Sequence, residues 1–195
     1  MGFIETIRVA TWIDAPVERC FLLSLSIGVH AASAGHAWLS AKGGVRSGLL
    51  HEGETVTLPG RPFGMLRHTS RIDQLRPHSY FRDVMVAGNF RHFVHEHHFA
   101  TMNDGTRIRD EIRFSSHWGS VGNLLARKRL KAYLVQRASA IKRVAESEEW
   151  RRYLDDEILD KMPPVSVKNN APVSWNKQAL LRNVQPSIVP RSRHV

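Results

Sequence analysis

The feature that most constrains this chain is an abrupt change of period. Between about residues 44 and 114 apolar residues alternate with polar ones in short runs, whereas from about 121 to 148 they recur three, four and seven apart. The first pattern belongs to half-buried strands and the second to an amphipathic helix. Strands are predicted at 45–50, 54–58, 65–75, 80–87, 90–100 and 106–114. Turn chemistry separates them, in Glu52-Gly53, Pro59-Gly60, Arg76-Pro77, Gly88-Asn89 and Asn103-Asp104-Gly105. Links this short favour an antiparallel meander. Another strand is expected at 4–13, rich in β-branched residues, which makes seven.

Asp14-Ala15-Pro16 then reads as a helix start, with Asp14 as cap and Pro16 in the first turn. That helix runs to about Leu25, and a second short one is expected over 28–35. The long helix carries a predicted stripe of Leu124, Leu125, Leu130, Leu134, Val135, Ala138, Ile141 and Val144. At 1.5 Å per residue it is about 40 Å long, and the open face of the sheet is the partner large enough to cover it. The expected class is α+β, a seven-stranded curved antiparallel sheet wrapped around a long C-terminal helix, with two short helices after strand one.

A chain of 195 residues with 42% hydrophobic and 24% charged residues suits one folded domain, expected over 1–150. Residues 151–195, with Pro163, Pro164, Pro172, Pro186 and Pro190, are expected to form a largely flexible basic tail. No apolar run is long enough for a transmembrane helix. The opening Met1–Glu5 lacks the cationic and apolar regions of a secretory leader, and a cytoplasmic location is expected. A lone cysteine, Cys20, excludes an internal disulfide framework and reads as a small buried hydrophobe. The net charge of +10 raises the question of a polyanionic partner. Its one dense cluster, Arg127-Lys128-Arg129-Leu130-Lys131, falls in the helical pattern, and no nucleic-acid-binding signature is found, so no specific nucleic acid is expected.

The element order, together with several strings, resembles one uncharacterised branch of the SRPBCC superfamily, the START-like and polyketide cyclase/dehydrase-like helix-grip proteins. The strings include Leu25-Ser26-Ile27-Gly28-Val29-His30-Ala31-Ala32-Ser33, Tyr80-Phe81-Arg82-Asp83-Val84-Met85-Val86-Ala87-Gly88-Asn89-Phe90, His95-Glu96-His97-His98-Phe99 and Gly119-Ser120-Val121-Gly122. The resemblance covers about residues 3–148 and departs around Thr57–Phe63. It implies a cavity between sheet and long helix that takes a small hydrophobic or amphipathic ligand.

The strand around 90–100 holds the most unusual residues. On a period of two, Phe93, His95, His97 and Phe99 share one face, and the two Phe residues mark it as interior. On the next strand Asp110 is the charged member of the apolar face Thr106, Ile108, Ile112 and Phe114. On the preceding strand Asp83 shares a face with Phe81 and Met85, subject to the register of the Gly88-Asn89 hairpin. His30, in the small-residue helix, is the remaining candidate. The expected ligand-binding set is therefore His30, Phe81, Asp83, Met85, Phe93, His95, His97, Phe99, Asp110 and Ile112, with no metal and no cofactor. Three readings stay open for its polar members: mutual satisfaction in the core, orientation of a ligand's polar group, or chemistry. The last includes a metal held by His95, His97 and a carboxylate, a two-His-one-carboxylate set in ligand type, and a hydrolase- or cyclase-like reaction with His95 or His97 as base held by Asp110. An anionic partner on the basic helix face is a further alternative.

Overall fold

A computed structural model of the chain describes residues 3–33, 48–58 and 68–154. The chain divides into two compact units, Met1–Pro163 and Pro164–Val195. The second unit, and residues 155–195 of the tail expected over 151–195, lie outside the described residues.

Six strands form an antiparallel sheet among the described residues: β1 (Glu5–Ile13), β2 (Thr55–Leu58), β3 (His68–Arg76), β4 (Tyr80–Ala87), β5 (Phe90–Met102) and β6 (Gly105–Ser116). Their order is β1-β6-β5-β4-β3-β2, a meander whose last strand pairs with the first. Between β1 and β2 lie α1 (Val17–Leu25) and α2 (Ile27–Ser33), and α3 (Gly119–Ala145) follows the sheet. No helix among the described residues is long and apolar enough to cross a membrane.

The seventh strand expected at 45–50 is not in this sheet. Residues 45–47 lie outside the described residues, and 48–50 run instead beside the α1–α2 junction. Ser26 breaks the helix there in an extended conformation. The exposed backbone groups are taken up by Leu50, whose N–H donates to the Leu25 carbonyl at 3.1 Å, and by Gly48, whose carbonyl accepts from Ile27 at 3.0 Å. The need to satisfy groups freed at a helix end outweighs the strand-like alternation of that segment. The cap also differs from expectation. Pro16 occupies the N-cap of α1 without a side-chain bond, and the Asp14 backbone N–H donates to Glu146.

Alternation along β5 and β6 follows the sequence reading. Phe93, His95, His97 and Phe99 are buried, as are Thr106, Ile108, Asp110, Ile112 and Phe114. Glu111, on the other face of β6, is also buried, and Arg8 clasps its carboxylate with two guanidinium nitrogens at 2.7 and 3.3 Å.

α3 packs on β1, β6, α1 and α2. Its buried stripe is Asn123, Leu130, Leu134, Arg137, Ala138, Ile141, Val144 and Ala145. Leu124 and Leu125, expected in that stripe, are 70% and 62% exposed, and Val135 is exposed too. At about 100° per residue both leucines project more than a quarter-turn from Leu130, and Asn123, seven residues before it, takes the inward position. Asn123 uses that position to accept from the Ser116 backbone N–H at 2.7 Å and to donate to the Phe3 carbonyl at 3.0 Å. A 3-10 turn (Glu148–Arg152) closes the described part. Trp150 and Leu154 are buried there in the main core, so packed structure continues past residue 150.

The core has two apolar clusters. One gathers Phe21, Leu23, Phe81, Phe99, Ile108, Ile141 and Val144, and the other Ile7, Phe93, Ile112, Phe114, Leu130 and Leu134. Between them, on each contributing element, stand polar residues. On β5 these are His95 and His97, between Phe93 and Phe99. On β6 it is Asp110, between Ile108 and Ile112. On β4 it is Asp83, between Phe81 and Met85, and on α3 Arg137, between Leu134 and Ile141. A charged layer thus crosses an otherwise apolar interior.

Candidate functional site

Antiparallel register assembles this layer. Asp83 on β4 is the pairing partner of His95, and His97 that of Asp110 on β6, so the i, i+2 histidines of β5 are flanked by one carboxylate on each side. The Asp83 carboxylate oxygen Oδ2 lies 3.1 Å from His97 Nε2 and 3.5 Å from His95 Nδ1. The Asp110 oxygen Oδ1 lies 3.2 Å from His95 Nε2 and 2.7 Å from His97 Nδ1. Of these four contacts, His95 Nε2 with Asp110 and His97 Nε2 with Asp83 have hydrogen-bond geometry, and His97 Nδ1 has no hydrogen-bond partner. The rings lie beside one another with centroids 3.8 Å apart, and His97 also stacks on Phe81 at 4.0 Å.

Arg137 anchors the arrangement from the helix side. Its guanidinium donates to Asp110 Oδ1 and to the Ser24 carbonyl, both at 3.1 Å. Arg137 and Asp110 are each only 1% exposed. The Ser24 carbonyl also meets His30 Nε2 at 3.1 Å. One buried cation thereby ties the end of α1 and the centre of the sheet to α3. Taking such charges out of water is costly, and a hydrogen-bonded partner for each is what makes the arrangement tenable.

The electrostatics follow from these contacts. Burial by itself raises the Asp110 carboxyl, but the Arg137 guanidinium and the two imidazoles hold it well below its ordinary value. Burial likewise opposes ionisation of Asp83, and its contacts with His97 and His95 outweigh it, so Asp83 is also held low. Burial, reinforced by His97, lowers His95 to about 4. Burial lowers His30 to about 3, helped by the Arg137 charge, and His68 to about 4. The Tyr133 hydroxyl is pushed up to about 12, again by burial.

A cavity of about 40 Å³ opens onto this layer. Of the residues expected in the site, His30, Phe81, Asp83, Phe93, His95 and His97 line it. Asp110 lies behind the two histidines rather than on the wall, because Arg137 and both rings enclose it. Met85, Phe99 and Ile112 are packing residues of the flanking clusters instead. The remaining wall was not foreseen: Ser24, Leu25, Leu50, Val56, His68, Ser70, Ile72 and Tyr133. The signal for three of them was available, since His68, Ser70 and Ile72 alternate on β3 with the polar Thr69, Arg71 and Asp73. Arg137 was also legible as a member of the stripe, three residues after Leu134 and four before Ile141.

Other sequence candidates stay outside the site. Cys20 is buried, and burial pushes its thiol up to about 11, so it is no nucleophile at neutral pH. Arg127, Lys128, Arg129 and Lys131 are exposed on α3, where Arg127 pairs with Glu5.

No family model and no curated protein matches the chain. Solved structures do. A START superfamily protein from Mycobacterium smegmatis aligns with a TM-score of 0.56 at 11% identity, covering 72% of this chain and 97% of its own. The Aha1 dimer from Colwellia psychrerythraea gives 0.52 at 14%, covering 73% and 96%. CalU16 from Micromonospora echinospora gives 0.51 at 15%, covering 80% and 81%. The chain shares the helix-grip fold of these structures. The cavity is lined by residues of β2 to β5, by Ser24, Leu25 and His30 of the two short helices, by Leu50 and by Tyr133 of α3, and Asp83, His95 and His97 are the members of the charged layer on its wall.

Proposed function

We propose that the protein binds a small amphipathic molecule, with its polar end on Asp83, His95 and His97 and its apolar body against Leu25, Leu50, Val56, Ile72, Phe81 and Phe93. The observation that carries this reading is the composition of the cavity wall, which combines apolar side chains with imidazole and carboxylate groups. A mostly apolar pocket with a few convergent polar groups is the usual form of a small-molecule site. The enclosed volume of about 40 Å³ admits a hydroxyl, carbonyl or carboxylate end, so the walls separate to take up the rest of the molecule.

A hydrolase- or cyclase-like reading would use His97 as a general base oriented by Asp110. His97 Nε2 lies 3.1 Å from Asp83 instead of facing open space, which favours binding over catalysis.

The test is native mass spectrometry of protein purified from its own host, with extraction of the bound compound, followed by titration of that compound or a fluorescent apolar probe. His97→Gln keeps size and a hydrogen-bonding end, so the fold should survive. Uptake should weaken by about tenfold, the equivalent of one good hydrogen bond at about 1–1.5 kcal/mol. Unchanged affinity per folded molecule would assign His97 to the scaffold alone.

A further inference from the structure

Each imidazole of the charged layer makes one hydrogen bond, His95 Nε2 with Asp110 Oδ1 at 3.2 Å and His97 Nε2 with Asp83 Oδ2 at 3.1 Å. The second nitrogens, His95 Nδ1 and His97 Nδ1, lie 3.5 and 2.7 Å from Asp83 and Asp110 without hydrogen-bond geometry, and the buried His97 Nδ1 has no hydrogen-bond partner. A buried polar atom left in this state calls for an explanation.

We propose that Asp83, His95 and His97 bind a divalent transition-metal ion of the zinc or ferrous type, facing the cavity, with Asp110 as the carboxylate that orients His95. This goes against the expectation of no metal, and three features of the geometry support it. First, an ion bonded at about 2.1 Å to two ligand atoms separates them by about 3.0 Å at a right angle and about 3.4 Å at the tetrahedral angle. The two Asp83–histidine separations, 3.1 and 3.5 Å, match these edges, and one donor atom from each of the three residues lies within 4.8 Å of the others. Second, metal-bound histidines characteristically donate their other ring N–H to a carboxylate. Asp110 Oδ1 is hydrogen-bonded to that other nitrogen in His95 and lies 2.7 Å from it in His97, and Arg137 holds Asp110 in place. Third, two imidazoles and one carboxylate leave coordination positions open, and all three ligands line the cavity, whose 40 Å³ has room for about three waters. Imidazole donors favour the later first-row divalent ions over magnesium or calcium.

The proposal does not depend on an organic ligand, because metal content and probe uptake are separate readouts. The test uses the full-length chain, stripped with a chelator and dialysed against Zn²⁺ or Co²⁺. The expected result is one Zn²⁺ per chain by elemental analysis and a visible absorption band on Co²⁺ loading. Asp83→Asn should lower Zn²⁺ affinity by more than tenfold and remove the band, and Asp110→Asn, a change at a positioning residue, should lower affinity by about 10–100-fold. Glu96→Gln, on the outer face beside Tyr80 and Arg113, should change neither. If the variants fold poorly, the unmodified protein still decides the matter, since a specific ion raises its melting temperature with Zn²⁺ concentration. Sub-stoichiometric zinc with no cobalt band would overturn the proposal, as would equal affinity in wild type and Asp83→Asn.

Discussion

Arg137→Met measures how much the fold depends on its one described cation inside the core. Methionine keeps much of the length and apolar stem but deletes the donors to Asp110 Oδ1 and to the Ser24 carbonyl, both at 3.1 Å. Both charged partners are 1% exposed, so water cannot replace what is lost. Removing one member of a buried ion pair costs about 3–5 kcal/mol, mostly because the other is stranded. Against a total stability of about 5–15 kcal/mol this is severe. In a folded unit of this size it corresponds to a fall in melting temperature of roughly 6–20 °C. Urea and thermal unfolding followed by circular dichroism would read the effect. The double variant Arg137→Met/Asp110→Asn should recover a substantial part of the loss, since the stranded charge is gone and only a polar amide remains. A single-variant loss below about 1 kcal/mol, or strict additivity in the double variant, would refute the claim that Arg137 and Asp110 are a coupled buried pair.

Leu134→Asp should abolish cooperative unfolding, because Leu134 is fully buried under the sheet, whereas Lys128→Ala on the exposed side of α3 should shift stability by less than about 0.5 kcal/mol; equal effects in denaturant titrations would contradict the packing of α3. Acidification should destabilise the fold. His68 and His30 have folded-state values of about 4 and about 3, below the ordinary 6.5, so the unfolded chain binds more protons as pH falls below 6.5; between there and pH 5 each should cost about 2 kcal/mol, and a urea midpoint unchanged from pH 7 to pH 5 would count against it. Gly105→Ala should cost about 1–3 kcal/mol in the same assay, since an added Cβ would sit 2.6 Å from the Ile13 carbonyl oxygen and against the Trp12 ring; a neutral outcome would mean that the β1–β6 end relaxes freely.

Much of the site was legible in the chain because period-two alternation is a property of the strand backbone itself. Once Phe93 and Phe99 mark the interior, His95 and His97 must share it, and the same logic places Asp110 between Ile108 and Ile112. The helix-grip order was legible for a similar reason, since the switch from period two to period 3.6 is written locally. Alternation says nothing, however, about which residue on one strand stands opposite which on the next. Only the hairpin register set Asp83 against His95 and His97 against Asp110, making four separate polar residues into one layer. The direction of α3 was equally a tertiary matter. A wide apolar sector containing Leu124, Leu125 and Val135 can bury any of several faces, and the one chosen carries Asn123 and Arg137 inward because the sheet end and Asp110 offer them partners. The segment at 48–50 has strand-like alternation but met an unsatisfied helix end before a sheet edge. The chain by itself determines which faces are apolar; the long-range pairing of polar groups, whose energy depends on partners far away in sequence, decided where the charges of the core meet.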